Sequence, residues 1–78
     1  MYNSAISLLN KVRKNSFLNE SETIDLKNLP STLLVCYLNG FDEALDKLTV
    51  IKDHLKENHP TAYRNYKEVM RIQRKIKY

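Results

Sequence analysis

Pro30-Ser31-Thr32-Leu33-Leu34-Val35-Cys36-Tyr37-Leu38-Asn39-Gly40-Phe41, residues 30–41, is the stretch whose reading decides the fold. Its start favours a helix, because proline is tolerated in a first turn, where its missing amide is not needed, and serine can cap that turn. Two rules compete over where the helix ends. Asn39-Gly40 is a common turn dipeptide, and read locally it divides the segment into two short helices. The apolar register favours continuity. Leu33, Leu34, Tyr37, Leu38 and Phe41 before the glycine and Ala44, Leu45, Leu48, Ile51 and Leu55 after it fall on one arc of about 140° when projected at about 100° per residue. A glycine inside a helix costs roughly 1 kcal/mol, which burial of so long a stripe offsets. The register therefore predicts one helix over about 31–57. Asn58-His59-Pro60 ends it, since the residue before a proline is pushed out of the α region and the proline suits the start of a following helix.

On the N-terminal side, Asn3 or Ser4 can cap a first helix over about 4–15, whose Ala5, Ile6, Leu8, Leu9 and Val12 share a face while Lys11 and Lys14 point away. Residues 16–30 mix Asn, Ser, Glu and Thr with isolated Phe17, Leu18, Ile24, Leu26 and Leu29, which suits a loop pinned to the core. On the C-terminal side a third helix over about 60–76 puts Ala62, Tyr63, Tyr66, Val69, Met70 and Ile76 on one side. The expected fold is all-α: a small three-helix protein in which helices two and three form an antiparallel hairpin and helix one packs on the first half of helix two. The expected core includes Ile6, Leu9, Leu34, Leu38, Phe41, Leu45, Leu48, Tyr66 and Met70.

The 78 residues suit a single helical domain, 1–78. A single cysteine, Cys36, excludes an internal disulfide and a thiolate metal centre. A domain this small buries only about 60% of the surface that its unfolded chain exposes, so self-association is a natural remedy. Helix two, about 40 Å long at about 1.5 Å per residue, would outreach helix three and leave apolar surface uncovered. A homodimer is expected, with Val35, Cys36 and Tyr37 as contacts, because Leu33 to Leu38 is apolar all round the helix; helix one and the 17–29 loop are the alternative cover. Cys36 itself has no adjacent cation and reads as an inert thiol.

Charge separates along the chain. Residues 60–78 carry a net charge of +5 and residues 19–59 a net −4, within an overall +4. Arg64, Lys67, Arg71, Arg74 and Lys75 project onto an arc of about 100° of helix three, a pattern that suits phosphate-backbone contact or simply a solvated face. Tyr63 and Tyr66 project to the apolar side, as core rather than as base-stacking platforms. Asp42, Asp46, Asp53 and Glu57 form an acidic stripe within about 60° on helix two, a solvated face or one that steers a basic protein partner or a second copy. Nothing in the spacing completes a metal site around Asp42 and Asp46.

Enzymatic readings find no support: there is no nucleophile motif and no phosphate-cradling loop, and His54 and His59, five apart on a helix, do not share a face. No cofactor is implied. No apolar run reaches membrane-spanning length, and Met1 to Asn10 lacks the pattern of a secretory signal, so a cytoplasmic setting is expected. Residues with AT-rich codons outnumber those with GC-rich ones, as in a phage or a low-GC bacterium. The function expected is that of a small interaction or regulatory protein bound to a larger macromolecule. The rival is a nucleic-acid binder using helix three.

Overall fold

The computed structural model describes residues 1–76, and its elements are all helices: α1 Tyr2–Arg13, α2 Glu20–Leu38, α3 Ala44–Thr49, α4 Lys52–Asn58 and α5 Pro60–Ile76. The all-α class stands, with no strand among the described residues. The layout differs from three helices at two places, each for a local reason.

The first difference is residues 16–30, expected as a loop. Only its beginning is one. Asn19 accepts a hydrogen bond from the Glu22 amide at 2.8 Å, and the Glu22 carboxylate accepts one from the Asn19 amide at 3.1 Å. This capping box satisfies two of the amides that a helix start leaves unpaired, and α2 begins here. Lys11 of α1 forms an ion pair with Glu22 and ties the two helices together. Pro30 is therefore not a helix start but an interior residue of α2. An interior proline removes a backbone hydrogen bond and costs about 3 kcal/mol. Buried packing by Leu26, Leu29, Pro30 and Leu33 offsets it. Immediately after the proline, both the amide and the hydroxyl of Ser31 donate to Asn65 Oδ1 of α5, at 3.1 and 3.0 Å.

The second difference is the expected 31–57 helix, which breaks twice. Gly40 has φ +105°, a left-handed conformation open to glycine. The Gly40 amide donates to the Tyr37 carbonyl at 3.2 Å and the Phe41 amide to the Cys36 carbonyl at 3.0 Å. These are the two bonds of a Schellman motif, and they close α2. Asn15, at φ 56°, closes α1 in the same way, through Asn15 to Val12 and Ser16 to Lys11 bonds. The second break lies at Val50 and Ile51, whose amides bond three residues back, to Lys47 and Leu48, in a tighter turn than the α-helix makes.

Helix α1 starts at Tyr2 with no side-chain cap, so neither Asn3 nor Ser4 serves as one. Helix α5 packs most extensively on α2. Its start lies beside Thr23, Leu26 and Lys27, and its Asn65 beside Ser31, so the two helices advance in the same direction. Only α4, joined to α5 through His59, retains the expected hairpin.

The core is continuous through all five helices, from Leu9 and Val12 through Leu26, Leu29, Leu33 and Cys36 to Leu45, Leu48, Ile51, Leu55, Tyr66 and Val69. Of the expected core residues, Leu9, Leu45, Leu48 and Tyr66 are buried, while Ile6, Leu34 and Met70 pack at its edge. Leu38 and Phe41 are exposed instead, because the helix that would have buried them ends between them.

The capping box makes a direct prediction. Asn19→Ala should destabilise the fold by about 1 kcal/mol, read as a lowered urea midpoint with unchanged slope. An unchanged midpoint would mean that α2 does not depend on this cap.

Candidate interaction surfaces

The end of α2 is the most conspicuous apolar surface of the molecule. Val35 is 44% exposed, Leu38 55% and Phe41 42%. Val35 and Leu38 are about 60° apart on the helix, on the side away from Leu26, Leu29, Leu33 and Cys36. Beyond Asn39, whose side chain donates to the Val35 carbonyl at 2.8 Å, lies Phe41. The Phe41 ring stacks on Tyr2 of α1 with centroids 4.3 Å apart. The Tyr2 hydroxyl donates to Glu43 at 3.0 Å. Met1, Tyr2, Asn3, Cys36, Asn39 and Phe41 line an open groove of about 410 Å³ here.

Of the residues expected at a dimer contact, Val35 is exposed, Tyr37 half-buried, and Cys36 only 1% exposed. Cys36 points into the core and is not available as a contact, because α1, α2 and the Phe41 turn enclose it. Sequence reasoning missed Tyr2, Leu38, Phe41 and Glu43 as surface residues. The available signal was Asn39-Gly40: a glycine that closes a helix leaves the next residue, Phe41, outside the helical stripe.

The Glu43 carboxyl is held below the ordinary carboxylate range by hydrogen bonds from its own backbone amide and from Tyr2. Loss of solvent and the bond to Glu43 raise the Tyr2 hydroxyl in turn. The pair is thus a tyrosine donating to a carboxylate at neutral pH.

Asp42, Asp46, Asp53 and Glu57 are all exposed, but not as one stripe. Asp42 lies in the turn after α2, Asp46 on α3, and Asp53 and Glu57 on α4, beyond the second break. No ion pair engages any of them among the described residues.

Arg64, Lys67, Arg71, Arg74 and Lys75 are exposed along α5. Arg71 is paired with Glu68, and Lys67 lies 5.1 Å from the centre of the Tyr63 ring. Tyr63 and Tyr66 stack on each other at 6.0 Å, with Tyr66 buried, so these rings serve packing. Residues 64 to 75 span about 17 Å of helix.

The model of the family described as "Domain of unknown function (DUF5929)" matches residues 1–78. The chain belongs to this family. No curated protein and no solved structure matches it. This DUF5929 chain has no group of three or more His, Cys, Asp or Glu placed to hold a metal ion among the described residues. Nor is any helix long and apolar enough to cross a membrane among them.

The histidines do meet. His54 sits on α4, His59 in the extended turn before α5, and their rings are 5.5 Å apart. The helical projection that separated them does not apply, because His59 leaves the helix at φ −138° and ψ 72°. Val12, Asn15, Ser16, Leu18, Thr23 and Asn58 surround the pair and contribute no charge. Burial, and then the neighbouring His54, lower the His59 pKa.

That shift fixes a sign. An imidazole harder to protonate when folded binds fewer protons than in the unfolded chain, so stability falls as pH drops below the ordinary histidine value of about 6.5. The loss ends below the folded pKa. Glu22 and Glu43, held below the ordinary carboxylate range, act at lower pH. The urea midpoint should fall between about pH 7.5 and about pH 5.5, and the fall should shrink in His59→Gln. An equal fall in the variant would assign the effect elsewhere.

Proposed function

We propose that this DUF5929 protein is a small non-enzymatic interaction protein, which docks on a larger protein through the apolar end of α2. The observation that carries this reading is the exposure of Val35, Leu38 and Phe41 together, beside an open groove. Grouped large apolar side chains on a small domain mark contact surfaces, whereas single ones are ordinary. Phe41 is the natural anchor, since aromatic residues at the centre of an interface carry a disproportionate share of the binding energy. A second copy of the chain can use the same surface, with Val35 rather than Cys36 at its centre.

A second reading has its own observation. All five cations of α5 are exposed on one arc of a regular helix, the footprint of a phosphate-backbone contact. The two readings differ in the residues they need. Pull-down from a host lysate, with and without nuclease, should retain the same protein in both cases and lose it in the Leu38→Ala/Phe41→Ala double variant. Circular dichroism would show that this variant is folded. Recovery of nucleic acid alone, lost on replacing Arg64, Lys67, Arg71 and Arg74 by Ala and steeply weakened by salt, would overturn the docking reading in favour of the second.

A further inference from the structure

We infer that the segment seated on the end of α2 is a basic amphipathic helix of another protein. This rests on the docking reading above and gives its partner a chemistry. From Asn28 to Asp46 the chain contains no lysine or arginine, and Lys27 and Lys47 bound the stretch. The same stretch contributes three exposed carboxylates, Asp42, Glu43 and Asp46, just past the apolar residues. Asp42 and Asp46 have no ion-pair partner among the described residues. Glu43 accepts from Tyr2 and keeps further lone pairs free.

The surface therefore joins an apolar centre, Val35, Leu38 and Phe41, to an anionic rim. Its complement places apolar side chains on that centre and the groove beside it, and cations against the rim. An amphipathic helix meets this requirement, with anchors at i, i+3 or i+4 and i+7. Opposite charge at the rim steers encounter and rejects acidic partners by several kcal/mol of like-charge repulsion.

A second copy of this chain fits less well. Its one strongly cationic helix, α5, turns Ala62, Tyr66 and Val69 into its own core, leaving Ile76 at its end as the exposed large apolar residue. Such an element would satisfy the rim but not the centre.

The test uses two synthetic amphipathic helices with identical leucine faces, one with a lysine polar face and one with a glutamate polar face. Fluorescence anisotropy follows their binding to the intact protein. The lysine peptide should bind and the glutamate peptide should not. Leu38→Ala/Phe41→Ala and Asp42→Asn/Glu43→Gln/Asp46→Asn should each weaken binding about tenfold or more, and Asp53→Asn/Glu57→Gln should leave it unchanged. Raising salt from about 0.1 to about 0.5 M should weaken it as well.

Equal binding of both peptides, no binding of the lysine peptide, or indifference to the Asp42/Glu43/Asp46 variant overturns the basic partner. The docking reading survives those results if lysate capture still depends on Leu38 and Phe41, and falls if it does not. Peptide binding through Asp53 and Glu57 also overturns the inference. So does a dimer in light scattering that Leu38→Ala/Phe41→Ala dissociates, because a second copy would then hold the site.

Discussion

A single left-handed residue, Gly40, arranges the functional end of this molecule. Its φ of +105° turns the chain so that the Gly40 and Phe41 amides cap the last carbonyls of α2. This brings α3 back onto α2 and delivers Leu45 and Leu48 to the core. It also strands Val35, Leu38 and Phe41 on the outside. The exposed apolar end is thus a product of helix termination, and the carboxylates beside it arrive with the same turn.

The opposite end of α2 is secured by different means. The Asn19 capping box and the Lys11–Glu22 ion pair fix where the helix starts and hold it to α1. The helix then tolerates an interior proline, with Asn65 of α5 engaging Ser31 directly after it. Since α1, α3 and α5 all pack on α2, its two termini set the positions of the remaining helices. The exposed cations of α5 lie on the outer side of that assembly, as a second surface of opposite charge.

Helical periodicity made the all-α class, α5 and most of α1 legible. It also placed Arg64, Lys67, Arg71, Arg74 and Lys75 on one exposed face. It failed at Gly40 for a physical reason. Two helices that fold back on each other both turn their apolar residues toward the same core, so the arc from Leu33 to Leu55 keeps its phase although the helix stops. Preserved register is evidence of a shared core rather than of a continuous helix. Local chemistry carried the missing information in both places, through Asn19 followed by Glu22 for the start of α2 and Asn39-Gly40 for its end. Pro30 misled because a proline favours a first turn in general, whereas burial among Leu26, Leu29 and Leu33 accommodates it here. The histidine contact was beyond any helical projection, since it depends on the extended backbone of His59.

The stability of Gly40→Ala tests the account most directly, because the two readings of this residue predict opposite signs. A Cβ at Gly40 would meet no atom within 4 Å, so steric crowding does not enter and the backbone conformation decides the result. Termination of α2 at a left-handed residue predicts destabilisation of about 1–2 kcal/mol, as a lowered denaturation midpoint. A continuous helix through residue 40 would instead gain about 1 kcal/mol from the better helix former, and a raised midpoint would contradict the account.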